Sequence, residues 1–187
     1  MAVCHVCPWW LGYLLASPLR RLAHNPGAIV APYVREGMTA LEPGPGMGFF
    51  TVELARRVGP SGRVIAPEVQ PKMLGGLKRR LAKAGLLERV DARLVSRDSL
   101  GLDDVARSVD FTLAFAIVHE LPAPDRFFAE VGKASKPGAC LLLAEPKGHV
   151  KPRLFESELK TASQCGFELV EQPSIPHSLT ALLRRSL

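Results

Sequence analysis

Between Thr39 and Thr51 the chain reads Thr-Ala-Leu-Glu-Pro-Gly-Pro-Gly-Met-Gly-Phe-Phe-Thr. An apolar run ends in Glu42 and breaks into three glycines at alternate positions, Gly44, Gly46 and Gly48, before a helical pattern begins. A strand that turns through glycines into a helix lets a ligand approach the main chain and meet its N–H groups. The glycine turn is therefore the first place to look for a ligand, and it makes a strand–turn–helix unit the start of the fold.

The alternation then repeats. Strand-like runs occur at 39–43, 63–67, 91–95, 109–116 and 139–145, and helical patterns at 49–58, 71–84, 102–107, 124–135 and 151–165. The 71–84 segment has Met73, Leu74, Leu77, Leu81 and Ala84 on one face, Pro71 at its start and Gly85 placed to end it. Continuous apolar stretches such as Phe111–Val118 and Cys140–Ala144 fit strands buried on both faces of a parallel sheet. After Gly166 two strand-like pieces, 167–172 and about 177–185, are separated only by Pro173-Ser-Ile-Pro176, which predicts an antiparallel hairpin at a sheet edge. The expected fold is α/β, a Rossmann-like doubly wound sheet of about seven strands, mostly parallel, with its ligand crevice at the carboxyl ends of the strands.

Two helices are expected ahead of the first strand. Pro8 opens one that runs to about Leu22 and is kinked or divided at Ser17-Pro18, and Asn25-Pro26 starts another to about Val34. Residues 1–36 thus read as a helical extension or lid, and residues 37–187 as the main domain. Residues 9–16 are very apolar but too short to span a bilayer, and Arg20 and Arg21 follow them, the reverse of a signal peptide. Peripheral membrane contact through residues 9–21 is the alternative to packing on the domain. Four cysteines are too few for a disulfide-built fold, so a reduced, cytoplasmic chain is expected. The net charge of +6 comes from basic residues scattered among acidic ones, a mildly basic solvated surface with no signature of DNA binding.

In these motifs the sequence resembles the class I S-adenosylmethionine-dependent methyltransferases, of the kind seen in ubiquinone biosynthesis, over residues 39–185. Glu42-Pro-Gly44-Pro45-Gly46-Met-Gly48 is similar to the family's acidic-x-Gly-x-Gly-x-Gly loop. The resemblance implies that the glycines admit the methionine moiety while the acidic residue holds its amino end. Val64-Ile65-Ala66-Pro67-Glu68 resembles the second strand, whose terminal carboxylate reads the ribose hydroxyls. Glu68 lies twenty residues beyond Gly48, the spacing of a ribose-reading acid, and Val69 follows it. Arg97-Asp98-Ser99 stands where the family places a side chain against the adenine amino group, with Asp98 the candidate and Ser99 beside it. Ala116, near the end of the fourth strand, completes the implied cofactor set. Phe115-Ala-Ile-Val-His119-Glu120-Leu-Pro122, Phe127-Phe128-Ala-Glu130 and Lys136-Pro137-Gly138 extend the likeness. Two positions depart from it: Pro67 removes a ladder donor just before the ribose acid, and Ala139 stands where a second glycine often follows Pro-Gly. The implied cofactor is S-adenosyl-L-methionine, with S-adenosyl-L-homocysteine as product.

Methyl transfer needs alignment and exclusion of water, and a base only when the acceptor must lose a proton. His119 is the candidate base or acceptor-orienting group, because imidazole titrates near neutrality; its plain alternative is packing against the cofactor or capping the next helix. Glu120, Glu145 and His149 are expected on the acceptor side, with Glu145 read first as a strand-end hydrogen-bonding group and His149 as an exposed loop residue. Trp9 and Trp10 suit a lid over an apolar or aromatic acceptor, or simple helix packing. Cys4-His5-x-Cys7 offers metal, redox or soft-ligand chemistry against a plain reading as buried thiols, and no metal is assigned. The expected function is methyl transfer to a small, apolar or aromatic acceptor. RNA or another anionic macromolecule, a metalloid or thiol, and a non-catalytic cofactor-binding role are the alternatives.

Overall fold

A computed structural model describes residues 24–186. The helix expected from Pro8 to Leu22, and with it Cys4, His5, Cys7, Trp9 and Trp10, lies outside the described residues. The described chain forms two compact units that divide between Ser96 and Arg97.

The first unit carries three parallel strands, β1 (Thr39–Leu41), β2 (Arg63–Glu68) and β3 (Val90–Leu94). β2 lies in the middle, with Thr39 opposite Arg63 on one side and Val90 opposite Val64 on the other. Its helices are α1 (Pro26–Val30), α2 (Thr51–Arg57) and α3 (Pro71–Ala84). α3 follows its sequence pattern: Met73, Leu74, Leu77 and Leu81 are buried, and Gly85, at φ 68°, ends it in the left-handed conformation. Asn25 caps α1 by accepting from the Ala28 N–H at 3.2 Å, and Arg57 of α2 donates to the Gly27 carbonyl at 3.1 Å.

The second unit holds β4 (Val109–Phe115), β5 (Ser135–Pro146), β6 (Phe167–Glu171) and β7 (Ser178–Arg185), with helices α4 (Pro124–Ala134) and α5 (Pro152–Gln164). β4 and β5 are parallel, β7 runs antiparallel to β5, and β6 runs antiparallel to β7. The strand order is β3-β2-β1-β4-β5-β7-β6, the mostly parallel seven-stranded sheet with an antiparallel C-terminal hairpin that the sequence predicts. The hairpin is tied to α5 by Arg185, which donates at 2.9 Å to the carbonyls of both Cys165 and Gly166, where the helix leaves acceptors unsatisfied.

Besides ends that shift by one or two residues, such as β1 ending at Leu41 and α2 beginning at Thr51, three elements depart from the sequence expectation. α1 stops at Val30, short of Val34, because Pro32 has no N–H for the helix ladder; Ala31 itself still has helical backbone, at φ −52° and ψ −42°. Val34 is nevertheless buried. The helix expected at 102–107 is a single 3-10 turn, Asp103–Val105. Arg107 adopts φ 50° there, and the N–H groups of Arg107 and Ser108 turn away to the carbonyls of Lys133 and Ala134 at 2.9 Å each. Finally, β5 starts at Ser135, ahead of 139. Ser135 pairs with Val109, Lys136-Pro137-Gly138 bulges out, and pairing resumes at Cys140 opposite Phe111.

In the second unit the core includes Phe111, Phe128, Phe167 and Leu141 to Leu143, all essentially without solvent exposure. Phe128 lies edge-on to Phe127 and Phe167, with ring centroids 5.2 and 6.4 Å away. No helix of the described residues is long and apolar enough to cross a membrane. Truncating Phe128 to Ala removes a fully buried ring between α4 and β6, and urea denaturation is expected to show a loss of about 3–5 kcal/mol.

Candidate active site

In the first unit the glycine turn is held by a carboxylate. Beyond β1 the parallel ladder continues, with the Glu42 N–H donating to the Ile65 carbonyl at 2.9 Å and the Gly44 N–H to the Pro67 carbonyl at 3.0 Å. The chain then reverses: the Gly48 N–H reaches the Pro45 carbonyl at 3.0 Å, and α2 begins at Thr51. Glu68, at the end of β2, is buried. Its Oε2 accepts from the Gly46 N–H at 3.0 Å, and its Oε1 accepts from the Gln70 N–H at 2.9 Å, just ahead of α3. One carboxylate thus fixes both the glycine turn and the start of a helix. Pro67 sits within β2 opposite Arg93, and Glu68 beyond it still reaches the turn.

Two of the glycines are required for different reasons. Gly48, at φ 82°, has no room for a side chain, since an added Cβ would lie 2.6 Å from Leu77 of α3. Gly46, at φ 55°, faces open space, the nearest atom to an added Cβ being the Met73 sulfur at 4.0 Å. Gly48 therefore serves packing, and Gly46 leaves its backbone open to a ligand. Glu42 and Pro45 are buried beside them, Gly44 is exposed, and Val69 is half-buried.

In the second unit the corner after β4 is built around Glu145. This carboxylate is fully buried at the end of β5. Its Oε1 accepts from the N–H of Val118 at 2.8 Å and of Ile117 at 3.3 Å, and its Oε2 contacts His119 Nδ1. Ala116, just ahead, is forced to φ 56°, and its N–H donates to the Ala144 carbonyl at 2.7 Å. A non-glycine residue held in that region costs on the order of 1–3 kcal/mol and marks a corner that its surroundings over-determine. Val118–Glu120 then form a 3-10 turn that carries His119. The expectation of a strand-end hydrogen-bonding role for Glu145 is met.

With Nδ1 committed to Glu145, His119 keeps Nε2 for other partners, and its side chain retains 15% exposure. Burial works against the imidazolium. The hydrogen bond and charge of Glu145, helped by Glu120 and Glu158, outweigh burial and raise the imidazole pKa above its ordinary value. The exposed His149 approaches the same imidazole, with ring centroids 5.8 Å apart. His119, Glu120, Glu145 and His149 are therefore gathered within the second unit. Asp98 and Ser99 also belong to this unit but sit at the α4 side of it. Arg126 donates to the Asp98 carbonyl at 3.0 Å, and the Ser99 hydroxyl lies 3.2 Å from Glu130. Cys140 and Cys165 are half-buried free thiols, and no cluster of three His, Cys, Asp or Glu suited to a metal occurs among the described residues.

One group was missed in the sequence. Glu158, on α5, is buried, and its Oε2 has no hydrogen-bond partner among the described residues. Burial, and then the negative charge of Glu145, push its pKa up to about 8, with His119 acting in the opposite direction. The signal was present: Phe155, Glu158 and Ala162 form the buried stripe of α5, so a carboxylate stands at a core-facing position of the helical repeat.

The Glu68 cradle is suited to a nucleoside. Its two oxygens accept from the Gly46 and Gln70 amides, and a strand-end carboxylate beside a glycine turn is the kind of acceptor that two adjacent ribose hydroxyls call for. A family profile described as a methyltransferase domain matches residues 40–138, and the chain belongs to that family, the class I S-adenosylmethionine-dependent methyltransferases. The family's cofactor is S-adenosylmethionine, and Gly46, with its open backbone, and Glu68 fit it. Among curated proteins, an arsenite methyltransferase of Halobacterium salinarum is 30% identical over 65% of this chain and 30% of its own length. The ubiquinone/menaquinone biosynthesis C-methyltransferase UbiE of Hydrogenovibrio crunogenus is 27% identical over 70% of this chain and 50% of its own. The chain thus spans half or less of these two relatives. A crystal structure of a SAM-dependent methyltransferase from Aquifex aeolicus shares the fold, with a TM-score of 0.83, 24% identity and coverage of 96% and 98% of the two chains.

A stability prediction follows from Glu158. Its folded pKa of about 8 lies above the ordinary value of 4.5, so the folded protein binds more protons between those values. The group's contribution is complete below about 4.5 and is lost as pH rises towards 8. Glu158→Gln, which cannot ionise, is expected to gain on the wild type across that interval, by about 1–3 kcal/mol at its upper end. Denaturant midpoints of both proteins measured against pH will check this.

Proposed function

We propose that this chain transfers a methyl group from S-adenosylmethionine to a small acceptor of apolar or aromatic character. The observation that carries the cofactor half of this reading is the Glu68 carboxylate, fixed by the Gly46 and Gln70 N–H groups at the end of β2. In this reading Glu68 takes the ribose hydroxyls, the backbone at Gly44 to Gly48 receives the methionine moiety near Glu42, and Asp98 meets the adenine amino group. The bound cofactor supplies an electrophilic methyl group on a sulfonium sulfur.

His119 is the residue for the acceptor. Its Nδ1 is held by Glu145, and Nε2 is available to orient an acceptor or take its proton. The apolar side chains on this corner, Phe115 and Ile117, are half-buried and suit an acceptor with a hydrophobic body. Trp9 and Trp10 are proposed as further cover for it. Because Glu145 raises the imidazole pKa, removal of an acceptor proton by neutral His119 increases as pH rises through that raised value.

A second reading, transfer to a metalloid or thiol, is favoured by Cys4 and Cys7 together with the arsenite methyltransferase relative. A Cys4→Ser, Cys7→Ser double variant that retains full transfer to arsenite in the presence of a thiol would remove it.

Calorimetry tests the main reading. The intact chain is expected to bind S-adenosylhomocysteine, and Glu68→Gln to weaken that binding by ~10-fold or more, the scale of a lost charge-assisted hydrogen bond. Absence of binding by the wild-type protein would contradict it.

A further inference from the structure

Glu130 and Arg126 have no part in the reading above, yet both reach out of α4 towards the same short loop. They stand four residues apart on one face of the helix, off the buried stripe of Phe127, Phe128 and Val131. Glu130 is half-buried and Arg126 is exposed. Arg126 Nη1 donates to the Asp98 carbonyl at 3.0 Å. Glu130 Oε2 accepts from the Leu100 N–H at 2.7 Å and from the Ser99 hydroxyl at 3.2 Å. That hydroxyl in turn accepts from the Gly101 N–H at 3.0 Å, where Gly101 turns the chain at φ 60°. All of these residues belong to the second unit.

The helix thus grips two successive peptide groups, Asp98–Ser99 by its oxygen and Ser99–Leu100 by its hydrogen. A carboxylate and a guanidinium make the stronger, charge-assisted kind of bond to such groups. None of these bonds takes up the Asp98 carboxylate, and Asp98 itself stays exposed. An exposed loop left to itself samples many arrangements, and a ligand that must order it loses affinity in doing so. Here α4 does the ordering in advance.

We propose that Glu130 and Arg126 are positioning residues for base recognition: by holding the 98–101 loop against α4, they aim the Asp98 carboxylate at the amino group of adenine. This role rests on Asp98 meeting the adenine, as proposed above, and adds the selectivity of that contact. A carboxylate accepts from an amino group and repels a carbonyl oxygen, so an aimed Asp98 tells an aminopurine from an oxopurine. A carboxylate on a loose loop swings away from the oxygen and loses that distinction.

Calorimetry on the full chain with S-adenosylhomocysteine and S-inosylhomocysteine tests this; the second compound carries oxygen in place of the adenine amino group. Wild type is expected to prefer the adenine compound by ~10-fold or more, the scale of one charge-assisted hydrogen bond. In Glu130→Ala that preference falls several-fold, because the adenine compound binds more weakly while the inosine compound is little changed. Glu130→Gln retains it, since its amide oxygen still accepts from the Leu100 N–H and the Ser99 hydroxyl. Arg126→Ala, at an exposed position, shows a loss in the same direction and keeps the test decisive should Glu130→Ala not fold. On an Asp98→Ala background the preference is already gone, and Glu130→Ala changes it no further.

Equal weakening of both compounds in Glu130→Ala and Arg126→Ala is the mark of a merely structural bond and overturns the proposal. An unchanged preference in these variants does the same, as does a further fall on the Asp98→Ala background. Wild type that binds both compounds equally also overturns it, and leaves the Glu68 reading of the ribose intact. Wild type that binds neither removes the cofactor reading itself, and the role of Glu130 and Arg126 with it.

Discussion

A buried carboxylate that accepts two backbone N–H groups is the interaction on which the first unit's ligand cradle depends. Glu68 bridges Gly46 and Gln70 at 3.0 and 2.9 Å, and so joins the glycine turn, β2 and the start of α3. A carboxylate removed from water is costly unless its lone pairs are occupied by donors. Here backbone amides supply them, and hydrogen bonds to an ionised acceptor are about twice as strong as neutral ones. The turn is consequently held in shape by the residue proposed to read the ribose. The second unit uses the same device with Glu145, which holds the Ile117 and Val118 N–H groups and His119 at the end of β5. In both cases a strand end presents an acid to main-chain donors, and a functional group is oriented as a result.

Glu158 is the exception that gives this arrangement its interest. It is the buried acid in the second unit that lacks a donor on Oε2, and its proton substitutes for one. Backbone amides and an imidazole surround the Glu145 carboxylate, whereas burial, and then the charge of Glu145, push the Glu158 pKa up to about 8.

Much of the architecture was legible in the sequence because hydrophobic periodicity and glycine placement are local signals. The α3 stripe, the antiparallel hairpin and the alternate glycines required no tertiary information. The boundaries that moved depended on non-local partners. Arg107 and Ser108 turn away to α4 carbonyls, and β5 gains Ser135 by pairing with Val109 across a bulge. The shortened α1 is different, since Pro32 and the N–H it lacks are visible in the sequence alone. At the site, Glu68 was found by its spacing from the glycines and His119 by its place after the fourth strand. The pairing of His119 with Glu145, across a separation in sequence of 26, could come only from the fold. Glu158 was hidden for the opposite reason: a glutamate on an amphipathic helix is ordinary until its face is known.

The central claim is that the Glu68 cradle holds the methyl donor. A crystal structure of the full chain with S-adenosylhomocysteine tests it most directly. The account predicts ribose hydroxyls on the Glu68 carboxylate and the methionine moiety against the backbone of Gly44 to Gly48, with the Gly46 and Gln70 contacts retained. A ligand bound elsewhere, or a Glu68 carboxylate that keeps its amide partners while contacting no part of the ligand, would contradict it.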